Sequence, residues 1–302
     1  MELDDDDFGL EEIRGMAETY IPEELGDSPY ALPKEFLSYS QVRLWQTCGE
    51  RYLRQYVYDE RSPRSSNLSH GSLVHKLVEN MLLHKMDTGD LLPLEAVNDM
   101  ITDALPEEAV KTKVWDPKIP DIETFEESAR ALVELYHQER YHEVQPRGVE
   151  VPVRGMINGR VRFQGWVDLV EANPMNPQVY PVDPIDRPIP QPGDKLKDLK
   201  VTGRKYGPQR VENAMQLTAY ADLLGLDEVG YDLLVETPKT RKRSYVSQES
   251  SRSASEKAHV ADVIEDVAKA ISAGVFPKTD PESWACSEKW CPYWSSCRGK
   301  KR

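Results

Sequence analysis

The amino-acid sequence predicts an α/β domain with a helical N-terminal part and a C-terminal cysteine module. Three observations lead to this fold class. Apolar residues recur at spacings of three and four through the first half of the chain, as they do on one face of a helix. Apolar and polar residues then alternate around Asn158-Gly159, which is a strong hairpin signal. Strand and helix patterns follow each other from residue 195 onward, which is typical of an α/β core.

The first half of the chain predicts four helices, each with an apolar face. Ser38 or Ser40 can cap the first of them, and Cys48 lies within it. The predicted helices are residues 36–58, 71–86, 92–104 and 121–143.

The second half predicts strands interrupted by two helices. Residues 149–154 and 160–171 form the two strands of the hairpin. Residues 173–194 are rich in Pro and Asp, and we expect an exposed insertion there around a short strand at Val179–Val182. The remaining elements are a strand at 195–202, a helix at 208–224, strands at 229–237 and 244–247, and a helix at 256–271.

Negative charge is concentrated at one end of the chain. The formal net charge is -14, and residues 1–35 hold twelve acidic residues against Arg14 and Lys34. Such a block predicts a flexible, solvated tail ahead of a domain over residues 36–302, although it could also bind a basic partner or screen a basic groove. The acidic net charge therefore does not exclude a nucleic-acid partner.

Several protein classes do not fit the sequence. No apolar stretch has the length of a membrane span, and the acidic N-terminus is unlike a secretory signal. We therefore expect a soluble, cytoplasmic protein, in which four cysteines are not expected to form two disulfides. A Gly-rich loop followed by Lys-Ser or Lys-Thr is absent from the sequence, so an ATP-driven motor is not expected either.

Two aspartates and a lysine form the first candidate site. Asp168 ends the run that starts at Gly165, and Asp198 and Lys200 lie two residues apart on a predicted strand, so their side chains leave one face. Two carboxylates on adjacent strands suit a divalent metal, and a nearby ammonium suits the charge that develops during phosphodiester hydrolysis. The alternative is chance, since aspartates at strand ends are common.

Three further residues are candidates for the same site. Gln216 and Tyr220 are four residues apart and share one face of the predicted helix. They could hold a phosphate or a base, or Tyr220 could belong to the apolar core. His75 lies in an otherwise apolar helix, where it is either a structural residue or a metal ligand that favours Mn²⁺.

The order of these motifs resembles the RecB-type branch of the PD-(D/E)XK nuclease superfamily over residues 36–302. The resemblance implies a restriction-endonuclease-like mixed sheet flanked by helices, with Lys200 as catalytic lysine and with Gln216 and Tyr220 at the active site. The spacer between the two aspartates is longer than the family pattern leads us to expect. The implied ligands of Mg²⁺ or Mn²⁺ are His75, Asp168, Asp198 and the backbone carbonyl of Leu199.

The cysteines are similar in arrangement to those of iron–sulfur RecB-like nucleases, such as the AddB nuclease domain and the exonucleases of CRISPR adaptation. One cysteine precedes the predicted core and three follow it as C-x4-C-x5-C. The resemblance implies a structural [4Fe-4S] cluster, although the first gap of four residues is longer than usual. Zinc is the alternative, but zinc sites usually show two close pairs. The implied ligands are Cys48, Cys286, Cys291 and Cys297.

Basic residues cluster in two places that could contact DNA phosphates, with the alternative of solvated loops. The aromatic residues Tyr206 and Trp45 could stack on bases or pack internally. The candidate DNA-binding residues are Arg204, Lys205 and Arg210 after the strand that carries Lys200, and Lys239, Arg241 and Arg243 in a later turn.

Together these features predict a metal-dependent DNA exonuclease that acts on single-stranded DNA or DNA ends. One alternative is a nuclease subunit of a larger assembly for DNA repair, recombination or CRISPR adaptation, with a helicase or integrase as partner. Another is a catalytically silent DNA-binding protein. The sequence does not decide the oligomeric state.

Overall fold

The structure is a computed structural model that describes residues 25–175 and 190–298. A mixed six-stranded sheet runs through this part of the chain, and helices cover both of its faces. The predicted α/β class is therefore confirmed. Residues 1–24 of the predicted acidic tail, and the predicted strand at Val179–Val182, lie outside the described residues.

The helices and strands follow in this order along the chain. The N-terminal half contains β1 (Leu37–Ser38), α1 (Tyr39–Thr47), α2 (Gly49–Tyr52), a π turn (Leu53–Val57), α3 (Ser66–Thr88), α4 (Leu94–Lys111), α5 (Ile122–Tyr136) and a second π turn (His137–Tyr141). The C-terminal half contains β2 (Pro146–Ile157), β3 (Val161–Glu171), β4 (Lys195–Thr202), α6 (Pro208–Glu212), α7 (Met215–Leu224), β5 (Glu228–Glu236), β6 (Arg243–Ser251), α8 (Ala254–Ser272) and α9 (Trp294–Cys297).

Strand β3 organises the sheet. β2 pairs with it in antiparallel fashion along almost its whole length, from Val161 to Glu171. On the opposite edge, β1 pairs in parallel at Phe163–Gln164, and β4 pairs in antiparallel fashion at Leu169–Glu171. β5 then pairs in parallel with β4, and β6 in antiparallel fashion with β5.

Each face of the sheet buries its own apolar cluster, because the side chains of successive strand residues alternate between the faces. One cluster packs the strands against α1, α7 and α8, with residues such as Phe163, Leu217 and Ile264. The other packs them against α3, α4 and α5, with residues such as Leu77 and Phe125. The burial of these two clusters is the main source of stability of the fold.

The hairpin prediction is confirmed; its first strand extends further than expected at both ends, and its second strand, Val161–Glu171, lies where it was predicted. Asn158 and Gly159 have φ angles of 51° and 64°, the left-handed backbone required at the two central positions of the turn that the Arg160 N–H closes on the Ile157 carbonyl at 3.0 Å. Strand β2 begins at Pro146 rather than at residue 149.

The first predicted helix is broken rather than continuous over residues 36–58. Residues 37–38 pair with β3, and the Ser38 hydroxyl accepts a hydrogen bond from the Gln41 N–H, which starts α1. α1 ends at Thr47, and Cys48 has an extended backbone. The Gly49 N–H donates to the Pro277 carbonyl at 2.7 Å, so the break is stabilised by a segment far away in the sequence.

The predicted helix at 208–224 is also broken, at Asn213–Ala214. The buried guanidinium of Arg252 donates to the Val211 carbonyl and to the Thr218 hydroxyl, so it joins the two pieces from the end of β6. Other boundaries also differ from expectation: α3 begins at Ser66 rather than at residue 71, α4 ends at Lys111 rather than at residue 104, and β6 continues to Ser251.

Residues 25–35, which the sequence assigned to the tail, contact the domain. The Tyr30 hydroxyl donates to Glu265 of α8 at 2.7 Å, and Arg160 lies over the Tyr30 ring. Arg162 of β3 pairs with Glu35 at 3.2 Å. This segment is therefore anchored on the hairpin and on α8.

The base of the Pro-rich insertion is closed by one buried carboxylate. Asp194 accepts hydrogen bonds from the backbone N–H groups of Asn173 and Gln191, at 2.9 and 2.7 Å, and pairs with Arg147. The insertion therefore leaves and re-enters the sheet at one fixed point. Among the helices of the described ranges, none is long and apolar enough to span a bilayer.

We expect Gly49→Ala to destabilise the fold. A Cβ atom at this position would lie 2.5 Å from the backbone of Phe276 and Pro277, which cannot move aside as a flexible side chain would. The expected loss is about 1–3 kcal/mol in the free energy of unfolding, measured by urea denaturation.

Gly26→Ala is the matched control, because a Cβ atom there meets nothing within 4 Å. It should change the free energy of unfolding by less than about 0.5 kcal/mol. Equal effects of the two substitutions would contradict the close approach at Gly49.

Candidate active site

A gap in strand pairing positions the site. On the edge of β3 that faces away from β2, β1 pairs at Phe163–Gln164 and β4 pairs at Leu169–Glu171. The four residues between these pairs, 165–168, have no strand partner on that edge within the described sheet. Because Asp168 is the last of them, its side chain lies beside β4 where the β3–β4 ladder ends.

The structure brings five of the predicted site residues together at this gap. The Leu199 backbone N–H donates to Asp168 Oδ2 at 2.7 Å, and Lys200 Nζ lies 2.9 Å from Asp198 Oδ2. His75 Nδ1 on α3 is 3.6 Å from Asp168 Oδ2. The Asp168 side chain remains 22% exposed, so the gap is open to solvent on that side.

His75 is neutral at neutral pH. Burial, together with the positive charge of Lys200, lowers its pKa to about 4. Its ring also lies against the Leu199 backbone, and Nε2 is buried without a hydrogen-bond partner in the described structure. A neutral imidazole with an unused nitrogen is suited to bind a metal ion.

The two carboxyl groups are held in an environment that disfavours their charge. Burial raises the pKa of Asp168 to about 6, against the opposing effects of Lys200 and the Leu199 N–H. Burial likewise raises the pKa of Asp198 to about 6, against the effect of Lys200 and with a further increase from Asp168. Burial acts to lower the pKa of Lys200, but the two carboxylates outweigh it and raise that pKa above its ordinary value.

Glu79 is a site residue that sequence reasoning missed. It lies one helical turn after His75 on α3, and its negative charge acts to raise the pKa of Asp168. A cavity of about 20 Å³, room for about one water molecule, is lined by Glu79, His75, Asp168 and Leu199 among others. The signal in the sequence was the spacing of four from His75, which puts both side chains on one helix face.

The donors at this site fit a hard divalent cation in their chemistry. Three carboxylates, one neutral imidazole and one backbone carbonyl are ligands that Mg²⁺ and Mn²⁺ accept. With one lysine present, the ionised side chains of Glu79, Asp168 and Asp198 leave an excess of negative charge. As they stand, however, no three His, Cys, Asp or Glu side chains in the described ranges are arranged to hold a metal ion.

Gly165 and Tyr220 are in direct contact at the gap. A Cβ atom on Gly165 would lie 2.1 Å from the Tyr220 hydroxyl oxygen, so only glycine allows the α7 tyrosine to reach this part of β3. Tyr220 is also buried in the apolar cluster of that face. Gln216 is buried one turn earlier on α7, and its amide makes no direct hydrogen bond to Asp168 or Asp198.

A buried ion network lies behind β4 and was not expected from the sequence. Arg140 donates to Asp232 at 3.0 Å and to Glu171 at 2.6 Å, and the Tyr245 hydroxyl donates to Asp232 at 2.9 Å. Asp232 is the neighbour of Leu199 in the β4–β5 register. The network therefore fixes the strand segment that supplies the Leu199 backbone to the site.

The four cysteines surround one cavity at the other end of α1. Its volume is about 440 Å³, and all four thiols are free. Burial raises the pKa of Cys291, and the nearby thiols of Cys48 and Cys297 raise it further. Cys48 reaches this cavity because the helix breaks there, and the C-terminal segment supplies Cys286 and the other two.

The six predicted DNA-binding residues separate into two groups. Arg204, Lys205 and Arg210 are exposed after β4, and no acidic side chain pairs with them anywhere in residues 25–175 and 190–298. Lys239 is likewise exposed in its turn. Arg241 and Arg243 are instead engaged by Glu127 and Glu236. Their positive charge is thus neutralised within the protein.

We expect the metal-free protein to lose stability as pH rises through 6. Between pH 4 and 6 the unfolded state releases the Asp168 proton, while burial makes the folded state retain it. Asp168→Asn removes the part of this dependence that Asp168 contributes, and its amide oxygen can still accept the Leu199 N–H. The free energy of unfolding of the variant, relative to that of wild type, should therefore be about 2–3 kcal/mol higher at pH 8 than at pH 4, measured by urea denaturation.

Asp222→Asn on the exposed face of α7 is the control for the loss of one acid. Its difference from wild type should stay constant across the same range. A constant difference for Asp168→Asn as well would contradict the raised pKa.

Comparison with known proteins gives a family match. The sequence profile of the PD-(D/E)XK nuclease superfamily matches residues 36–298. Among curated proteins, none matches the chain.

Two solved structures are similar in part. One is a proposed exonuclease from Eubacterium rectale, with 12% identity, a TM-score of 0.46, and coverage of 83% of this chain and 87% of that one. The other is the protein SSO0001, with 13% identity, a TM-score of 0.33, and coverage of 68% and 98%. With TM-scores below 0.5, neither similarity bears on function. The mixed sheet of this protein, flanked by helices, is consistent with the restriction-endonuclease-like fold of that superfamily. Because the family match covers most of the chain, the chain belongs to the PD-(D/E)XK nuclease superfamily.

Proposed function

We propose that this protein is a metal-dependent DNA exonuclease of the RecB type, acting on single-stranded DNA or DNA ends. The observation that supports the proposal most is the pair of carboxylates at the gap in β3, Asp198 buried and Asp168 partly exposed, with one lysine and a neutral histidine beside them. Exonuclease action is proposed from the resemblance of the ordered motifs to RecB-type nucleases.

Nucleases of this superfamily generally use divalent metals such as Mg²⁺ or Mn²⁺. We propose Asp168, Asp198, His75 and the Leu199 carbonyl as ligands, with Glu79 as a further carboxylate. A bound divalent ion supplies positive charge at the phosphate and lowers the pKa of water. Lys200 contacts the Asp198 carboxylate at 2.9 Å, so its ammonium lies directly beside one of the proposed ligands.

The protein's own groups then take defined roles. Lys200 stays protonated, because the carboxylates raise its pKa, and its ammonium can stabilise negative charge on the phosphate oxygens. From the resemblance we place Gln216 and Tyr220 at the active site; both are buried on α7, so we propose that they support the site from behind β3. Asp168 orients the Leu199 carbonyl by binding the N–H of the same residue.

We also propose that the four cysteines hold a structural [4Fe-4S] cluster. The cavity of about 440 Å³ that they line is larger than one Zn²⁺ ion requires. Arg51, Lys278 and Arg298 line it too, and their positive charge suits a cluster with four thiolate ligands. The cluster would join α1 to the C-terminal segment.

Hydrolysis of an end-labelled single-stranded oligonucleotide with Mn²⁺ or Mg²⁺ tests the nuclease proposal. Lys200→Met and Asp198→Asn should each lower the rate about 100-fold or more, because each removes a charged group next to the reacting phosphate. Glu79→Gln should lower the rate and raise the metal concentration required.

Lys195→Met is the matched control, since Lys195 lies on the same strand but pairs with Glu249 at 2.6 Å, away from the site. It should retain the wild-type rate. Full activity in both Lys200→Met and Asp198→Asn, with circular dichroism unchanged, would refute the assignment.

Iron and acid-labile sulfide analysis of anaerobically purified protein tests the cluster. About four iron atoms per chain are expected, with a broad absorption band that reduction bleaches. Cys291→Ser should lose most of the iron and unfold at a lower temperature. The control Ser295→Ala, at an exposed position on α9, should keep the wild-type iron content and unfolding temperature. Stoichiometric zinc without iron would contradict the cluster and indicate a zinc site instead.

A further inference from the structure

The loop after β4 carries positive charge that the protein does not neutralise. Residues 203–210 contain Arg204, Lys205 and Arg210 and no acidic residue. All three side chains are exposed, and no carboxylate in the described parts of the chain pairs with them. This loop directly follows the strand that carries Asp198 and Lys200.

Arg210 is held by an aromatic ring instead of a carboxylate. Its guanidinium carbon lies 4.4 Å from the centroid of the Tyr206 ring. The Tyr206 ring meets Tyr231 edge to face, with centroids 5.6 Å apart and planes at 84°. Tyr231 is the direct neighbour of Asp198 in the β4–β5 register. A continuous line of contacts therefore runs from the exposed guanidinium to a catalytic carboxylate.

The position of this stack is set by the surrounding backbone. The Gln248 amide donates to the Tyr206 carbonyl at 2.9 Å, which fixes the loop against β6. Pro208 starts α6, and the Val211 carbonyl is bound by the buried Arg252. Because these contacts already order the segment, it loses little conformational entropy when a ligand binds to Arg210. Preorganisation of this kind favours binding.

We propose that the outer face of the Arg210 guanidinium, backed by Tyr206, stacks on the nucleobase next to the cleaved phosphate. Arg204 and Lys205 then contact the adjoining backbone phosphates. Arginine planes and aromatic rings stack on unpaired bases. A base inside a duplex already has neighbours on both of its faces, so this surface selects single-stranded DNA. The inference rests on the nuclease function proposed above.

Binding without turnover tests the stack. Fluorescence anisotropy without added divalent metal compares a labelled single-stranded oligonucleotide with an abasic strand of equal length and charge. Wild type should bind the strand with bases about tenfold more tightly than the abasic strand. Arg210→Lys keeps the charge but not the plane, so it should reduce this ratio to less than about threefold.

Lys205→Gln is the matched control, because it removes a charge from the same loop and leaves the stack intact. It should weaken binding to both strands equally and keep the tenfold ratio. The inference is overturned if Arg210→Lys retains the full ratio, if Lys205→Gln lowers it equally, or if a blunt duplex binds as tightly as the single strand.

The nuclease function is tested separately, by comparing hydrolysis of the unmodified single strand by wild type and by Asp198→Asn. Base-dependent binding without hydrolysis would reject the nuclease and keep the stacking surface. Metal-dependent hydrolysis without any base preference in binding would keep the nuclease and reject the stacking surface.

Discussion

The hydrogen bond from the Leu199 backbone N–H to the Asp168 carboxylate, at 2.7 Å, holds the site together. β3 and β4 pair directly only between Leu169–Glu171 and Lys195–Lys197. Beyond that point, β1 pairs with β3 at Phe163–Gln164, so among the described strands β4 has no backbone partner on that side. The Asp168 carboxylate accepts the hydrogen bond that a neighbouring strand would otherwise accept. Without it, the Leu199 N–H would be left without an acceptor, at a cost of about 1–3 kcal/mol.

The acidic residues around β4 divide into those that the protein neutralises and those that it does not. Asp232 and Glu171 share the guanidinium of Arg140, whose planar donors match carboxylates well. Asp168 and Asp198 share one lysine and a neutral histidine, and burial raises both of their pKa values. The first pair stabilises the strands, while the second leaves negative charge that is only partly neutralised, at the position where we propose that a cation binds.

Elements set by neighbouring residues were predictable, and elements set by distant ones were not. The hairpin followed from Asn158-Gly159, because a two-residue turn needs local left-handed backbone. The break after Thr47 depends on Pro277, and the break at Asn213–Ala214 depends on Arg252. A helical pattern cannot reveal either break, since the groups that compensate for the lost helix hydrogen bonds lie elsewhere in the chain.

The sequence by itself determined the local chemistry of the site: Asp198 and Lys200 share a strand face because side chains alternate with a period of two, and Gln216 and Tyr220 share a helix face because four residues make about one turn. Only the tertiary structure decided which charges meet. It paired Arg241 and Arg243 with Glu127 and Glu236, and left Arg204, Lys205 and Arg210 exposed. It also placed Glu79 beside Asp168. Backbone periodicity acts between neighbours, whereas charge neutralisation depends on residues that only folding brings together.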